Sequence, residues 1–245
     1  MSRRRFHVPR GSIRDGVAVL PPSQAHHLRN VLRICSGDTV EVFDGEGKGF
    51  IGTVEMRGAE VAIRDLKNMP FKKGPVGLTL AAALVKSAKF EWMLQKTTEL
   101  GIEEIIPLNT RFSEIQIPDS KIDSRLERWI RIVHEASKQC GRFAAPRVRR
   151  PVHFQELLNI EEFAGCTKFL FYEKAGVYWR PEQTQFTERV VLCMGPEGGW
   201  DRDEIEQAVK GGYQISSLGP LVLRAETAAI AAVSIIQHQI YSSAS

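Results

Sequence analysis

Met194-Gly195-Pro196-Glu197-Gly198-Gly199 is the stretch on which the reading of this chain turns. It follows the apolar run Arg189–Met194 and precedes Asp201-Arg202-Asp203-Glu204, which resembles a capping box opening a helix. A strand, a glycine loop and a capped helix in succession make an α/β unit. In an open α/β sheet, ligands bind beyond the carboxyl ends of the strands. Glycines at such a place let backbone approach a ligand closely and offer its amides. A tight strand-to-helix turn would explain the same residues with no ligand at all.

Working outward, the same alternation continues. Val76–Ala83 reads as a buried strand, and Lys86–Leu100 as a helix through Phe90, Met93, Leu94, Thr97 and Leu100, stopped by Gly101. Ile102–Ile106 reads as a strand ended by Pro107, Ser124–Cys140 as an amphipathic helix, and Lys168–Tyr172 as a strand. After Gly211-Gly212, Tyr213–Leu218 reads as a strand and Glu226–Tyr241 as the last helix. Alternating strands and helices predict an α/β fold with a mostly parallel sheet. A second strand-to-helix join, Leu218-Gly219-Pro220-Leu221-Val222-Leu223-Arg224-Ala225-Glu226-Thr227-Ala228, places a charge, Arg224, just before a nearly apolar helix. That is costly unless Arg224 has a partner or a ligand. Glu226 or Thr227 can cap the helix.

The first seventy residues differ. Short strands at Val17–Leu20, Thr39–Phe43, Gly49–Val54 and Val61–Ile63 predict a small barrel or sandwich. A helix capped by Ser23 interrupts them, with Ala25, Leu28, Val31 and Leu32 on its apolar face. Phe43-Asp44-Gly45-Glu46-Gly47-Lys48-Gly49 has the glycines of a nucleotide loop at the wrong spacing and with no helix behind it, so it reads as a hairpin. Pro70 and Lys72-Lys73-Gly74-Pro75 mark a linker, giving domains 1–72 and 73–245.

Charge is unevenly spread: residues 1–70 carry a net +3, 71–150 a net +6 and 151–245 a net −5, which sum to the +4 of the whole chain. A basic front two thirds suits nucleic acid, because phosphate contacts release counterions. Cys35, Cys140, Cys166 and Cys193 are scattered, with no metal-binding spacing, and read as reduced thiols at least partly buried. No metal is implied. Neither a membrane span nor a secretory signal is visible, which points to the cytoplasm.

The two strand-to-helix joins together make the chain recognisable. Gly195-Pro196-Glu197-Gly198-Gly199, Leu218-Gly219 and Leu223-Arg224-Ala225-Glu226-Thr227-Ala228 resemble the SPOUT methyltransferases, and more narrowly the bacterial 16S rRNA uridine-N3 methyltransferase family. Arg5-Phe6-His7-Val8, the helix Lys86–Gly101, and Glu127-Arg128-Trp129 with Glu135-Ala136 and Gln139-Cys140-Gly141-Arg142 extend the resemblance over nearly the whole chain. It breaks at Thr110-Arg111-Phe112-Ser113, where the family pattern is Thr-x-Arg-Ser, so no RNA contact is carried over to Arg111.

The resemblance implies a small PUA-like barrel that helps bind RNA, a C-terminal α/β domain with a trefoil knot, and a homodimer. It implies S-adenosyl-L-methionine as cofactor and 16S rRNA of the small ribosomal subunit as substrate. The cofactor would lie against Tyr172, Met194, Gly195, Pro196, Glu197, Gly198, Gly199, Leu218, Gly219, Pro220, Leu221 and Leu223. Arg224 would stabilise the uracil anion, and Glu197 would orient the base or the cofactor, or accept the proton. RNA would cross Arg3, Arg4, Arg5, Arg10, Arg29, Arg33 and Arg142. Two rivals stand beside this reading: a related enzyme methylating ribose 2′-hydroxyls, and an RNA-binding assembly protein on an inactive fold.

Overall fold

The computed structural model describes residues 4–70 and 74–243, with the side chains of Arg10 and Ser243 left out. The boundary expected at residues 72 and 73, and Arg3, lie outside the described residues. The chain forms two compact units, residues 1–73 with 134–145, and residues 74–133 with 146–245.

The first unit holds one sheet of six strands in the order β1 (Arg5–His7), β4 (Thr39–Phe43), β5 (Gly49–Arg57), β6 (Glu60–Met69), β3 (Val17–Val19), β2 (Ile13–Arg14). It is antiparallel except for β1, which runs parallel to β4. Among the described residues this unit contains one sheet, so it is not by itself a two-sheet sandwich. Phe6, Val8, Leu28, Val40, Val42 and Ile63 make its core. The glycine loop is the expected hairpin: Phe43 pairs with Gly49, and Asp44 Oδ1 accepts the amides of Glu46 at 2.8 Å and Lys48 at 3.0 Å.

Two local expectations fail. Ser23 caps nothing. α1 (Pro22–His26) starts after Pro21 with no side-chain cap, because Pro22 at the first turn needs no acceptor. A π turn, His27–Val31, follows. Cys35 and Cys140 are exposed rather than buried, whereas Cys193 is buried and its thiol is pushed up in pKa by that burial.

The second unit is built on a parallel sheet in the order β10 (Val152–His153), β8 (Glu104–Asn109), β7 (Gly77–Ala83), β12 (Arg189–Met194), β11 (Thr167–Phe171), β13 (Gln214–Ser216), with β9 (Arg147–Val148) beside β8. All of its pairings are parallel. Such strands are covered on both faces and read as near-continuous apolar runs. β7 is buried at every residue. α4 (Phe154–Leu158) and α5 (Arg202–Lys210) pack on the face bearing Ala81, Ile106, Leu170, Val191 and Cys193. α6 (Ala225–Ser243) and α2 (Ser87–Glu99), absent from that cluster, cover the other face.

Pro107 does not end β8, which runs on to Asn109. In a parallel ladder alternate residues bond to alternate neighbours. Leu108 C=O accepts from Leu84 on the β7 side, while Ile105 C=O accepts from Arg149 at 2.9 Å on the other. The missing N–H of Pro107 therefore faces the gap between β9, paired at Glu104 and Ile105, and β10, paired at Leu108 and Asn109. No ladder bond is lost. The long amphipathic helix, α3 (Asp119–Cys140), begins five residues before the expected Ser124.

At the amino end of β8 the buried carboxylate of Glu104 accepts from Arg149 at 2.7 Å and lies near Arg147 at 3.7 Å and Arg189 at 3.9 Å. Thr79 donates to it at 3.5 Å. Removing one partner of a buried pair costs more than the pair contributes, because the other charge is stranded. Glu104→Ala is expected to lose ~3–5 kcal/mol in a denaturant titration, and Glu104→Gln less, since the amide oxygen still accepts from Arg149.

Candidate functional site

Met194 and Phe171 end neighbouring parallel strands, and the chain leaves both at the same edge. After Met194 it turns at once: the Gly199 amide donates to Pro196 C=O at 3.0 Å, with Gly199 at φ +77°. Asp201 then caps α5, its side chain accepting from Asp203 at 2.9 Å while Glu204 accepts the Asp201 amide at 3.1 Å. This is the capping box that the sequence predicts.

The turn is pinned by Trp200, buried against Phe154 at 5.0 Å and donating from Nε1 to Phe171 C=O at 2.9 Å. A Cβ on Gly195 would come within 2.7 Å of that Nε1. One on Gly198 would come within 3.0 Å of Phe112 Cβ and 3.2 Å of its carbonyl oxygen. Two glycines expected to admit a ligand thus make room for the protein's own neighbours.

The loop borders a cavity of about 610 Å³. Of the residues named from the sequence as a cofactor site, Tyr172, Met194, Gly195, Pro196, Glu197, Gly199, Leu218, Leu221 and Leu223 line it, together with Arg224. Gly198, Gly219 and Pro220 do not. Lys89, Phe171, Glu173, Trp200, Ser217, Val222, Ala225 and Ala228 line it as well, beyond the residues named for the cofactor. Phe171 and Trp200 carried a signal, as the end of a strand and the residue before a cap. Lys89, on α2, carried only the weak signal of a first helical turn with lysines and no acidic residue.

Glu197 accepts a hydrogen bond from Lys89 Nζ. That bond, backed by the charges of Lys89, Lys86 and Arg224, holds its carboxyl below the usual range against a smaller opposing effect of burial. A carboxylate so held is a weak base, so the geometry does not favour Glu197 as proton acceptor. Arg224 makes no ion pair among the described residues and is exposed, which removes the burial cost expected of it. Glu226, in the first turn of α6, is buried with Oε2 unpartnered.

Arg111 sits elsewhere, at a second, polar cavity of about 500 Å³. Its guanidinium lies 3.3 Å from Asp201 and 3.6 Å from Asp203, and its amide donates to Glu204 at 3.0 Å. It ties the loop after β8 to the capped end of α5. Among the described residues no group of three His, Cys, Asp or Glu side chains could hold a metal. No described helix is long and apolar enough to cross a membrane.

The arginines expected on RNA separate by environment. Arg5 is inward: its guanidinium, 5% exposed, donates to Glu41 at 2.7 Å and lies 5.2 Å over the Phe143 ring. Arg29 donates to the carbonyls of Gly58 at 2.6 Å and Glu60 at 2.9 Å, stapling α1's extension to a turn. Both have structural work. Arg142 donates to Ala144 C=O at 3.2 Å. Arg4, paired with Asp38 at 3.0 Å, and Arg33 are exposed.

Comparison with known proteins agrees in both units. Residues 72–237 match the RNA methyltransferase domain family, and residues 20–60 an RNA methyltransferase PUA domain. The chain is 34% identical to a ribosomal RNA small subunit methyltransferase E of Synechocystis sp., over 91% of this chain and 74% of that protein. It is 31% identical to the protein of the same name from Bacillus subtilis, over 88% of each. The structure resembles that of the Neisseria gonorrhoeae ribosomal RNA small subunit methyltransferase E bound to S-adenosylmethionine, with a TM-score of 0.83 and 28% identity over 97% of this chain and 98% of that one. It likewise resembles a Legionella pneumophila methyltransferase solved with the same cofactor, with a TM-score of 0.82 and 30% identity over 98% of each chain.

The Gly195–Trp200 contact gives a direct test. Gly195→Ala forces the indole or the turn to move, and an overpacked contact of this kind is expected to cost ~1–3 kcal/mol, read by denaturant titration.

Proposed function

This chain belongs to the family of ribosomal RNA small subunit methyltransferases E, and from that premise we propose that it methylates N3 of a uridine in 16S rRNA, using S-adenosylmethionine. The observation that carries the reading is the cavity beyond β11 and β12. Its volume, about 610 Å³, is that of a small-molecule site, and Phe171, Leu218, Leu223 and Ala228 give it an apolar wall beside Gly195, Pro196, Glu197 and Gly199. Those residues suit an adenosine, whose ring is apolar on its faces and hydrogen-bonding at its edge.

When bound, S-adenosylmethionine supplies an electrophilic methyl group on a sulfonium. The residues of this chain have the harder task, the acceptor. Uracil N3 carries a proton, and its nucleophilic form is an anion spread over two carbonyl oxygens. A cation at the cavity favours that form. That Arg224 is exposed at the cavity and free of an ion-pair partner among the described residues supports giving it this role. Pro196, Glu197, Gly199 and Leu221–Leu223 supply backbone to orient the ligands.

The N-terminal unit, in this reading, holds RNA through its exposed basic residues, Arg4 and Arg33 among them. Arg3 and Arg10 keep the role the resemblance gives them. A trefoil knot in the C-terminal unit goes with the same reading, as does action in the cytoplasm. So does a homodimer. Leu221 and Val222, at the cavity, are 76% and 80% exposed, an apolar pair that a second copy would cover.

The decisive experiment incubates the protein with labelled S-adenosylmethionine and small ribosomal subunits lacking the modification, then maps the label. Label on N3 of one uridine is expected; label on a ribose overturns the base specificity. Arg224→Ala is expected to lower kcat by ~10²–10³-fold while the calorimetric Kd for the cofactor changes less than about threefold. An unchanged kcat would remove Arg224 from the chemistry.

A further inference from the structure

Four charged side chains line the cavity: Lys89, Glu173, Glu197 and Arg224. Around Glu197 the balance is uneven, since Lys86, Lys89 and Arg224 all act on one carboxylate. Glu173, two residues past the end of β11, lies 3.5 Å from where a Gly199 Cβ would be, and no ion pair joins it to any of the three. Among the described residues Glu197 forms its ion pair with Lys89 only.

Lys89 is also placed against local preference. It lies in the first turn of α2 next to Lys86, in a turn with no acidic residue and no side-chain cap. The positive end of a helix disfavours cations, so two lysines there act against the helix. An anion bound beside them would turn that cost to use. The cofactor does not call for the surplus: its amino-acid end is zwitterionic and its sulfonium is itself a cation. An anion arises in the reaction only on the uracil.

We propose that Lys89 is a second anion-stabilising residue of the methyl-transfer site, held by Glu197 until RNA binds and then shared with the N3-deprotonated uracil alongside Arg224. The inference rests on the uridine-N3 reading above. The N3 proton leaves to water. The lone pair so exposed forms the N–C bond, and the pair of the breaking C–S bond stays on sulfur as a neutral thioether. Lys89 gives up no proton; it lowers the energy of the anion by position and charge.

The test compares wild type, Lys89→Met and Lys89→Arg on unmodified small subunits across pH, with calorimetry for S-adenosylmethionine. Wild-type label on N3 establishes the reading independently of Lys89; its absence would sink the reading and not merely this residue's role. In Lys89→Met, kcat at neutral pH is expected to fall ~10²-fold. Its rise with pH should be displaced to higher pH, because a lost cation raises the pKa of bound N3. Rebuilding the substrate with 5-fluorouridine, whose N3 is more acidic, should recover much of the loss, and Lys89→Arg should retain most of the rate. The cofactor Kd should stay within about threefold. Three results would overturn the proposal: a cofactor Kd weakened in step with the rate, which assigns Lys89 to the cofactor's carboxylate; a raised KM for RNA with kcat and pH profile unchanged, which assigns it to a phosphate; or wild-type rates in Lys89→Met.

Discussion

β12, Arg189–Met194, pairs in parallel along its whole length with β7 on one side and with β11 over Val190–Met194 on the other. The rest of the second unit depends on that double pairing. Because both neighbours run the same way, Ala82, Met194 and Phe171 reach one edge of the sheet in register. Because helices cover both faces, the strand interiors are nearly all apolar, and charged side chains such as Glu104 and Arg189 stand at strand ends. Side chains with chemistry to do must sit on the connections at one edge or the other. The two edges use charge differently. At the amino edge, Arg147, Arg149 and Arg189 surround Glu104, and Arg149 and Arg189 also reach Glu162. Those cations are engaged with carboxylates and with the Phe163 ring. At the carboxyl edge, Arg224 stays without an ion-pair partner among the described residues beside a cavity. Charge left unpaired next to a cavity is available to a ligand, and charge paired over an aromatic ring is not.

Most of the sheet was legible in the chain because a parallel strand buried on both faces leaves a plain signature. Arg189–Met194 and Val76–Ala83 are short apolar runs bounded by loop residues, and both are strands to within a residue. The capping box at Asp201 was legible for the same reason, since its chemistry is local. What failed was what pairing decides. Pro107 reads as a strand end because a proline forfeits a ladder bond; only the register shows that its empty side faces a gap between two short strands. The two-residue strands β9 and β10 have no apolar run to betray them. Residues 134–145 carry the end of an amphipathic helix, yet they cluster with the first unit, where Phe143 packs on Gly49 and Gly47 donates to Phe143 C=O at 3.2 Å.

The site was legible where the chain is continuous and hidden where it is not. Its two loops announce themselves by glycine and by an arginine ahead of an apolar helix. Lys89 is 108 residues from Glu197, and its one local mark, a first helical turn that holds lysines and no acidic residue, names no partner. Glycine misled in a particular way: Gly195 and Gly198 are required by Trp200 and Phe112, so a glycine-rich loop at a ligand site need not owe its glycines to the ligand.

The arginines show a related limit. Arg4 and Arg5 are adjacent in a basic run, and composition treats them alike. Arg5, the first residue of β1, pairs in register with Glu41 of β4 and is nearly buried against it, while Arg4, just ahead of the strand, stays exposed and pairs with Asp38. A basic run can therefore offer a phosphate backbone only the charges that the fold has not already set against its own carboxylates. Counting arginines therefore overstates the RNA-facing charge of a β unit, and the partners on the neighbouring strand set the correction.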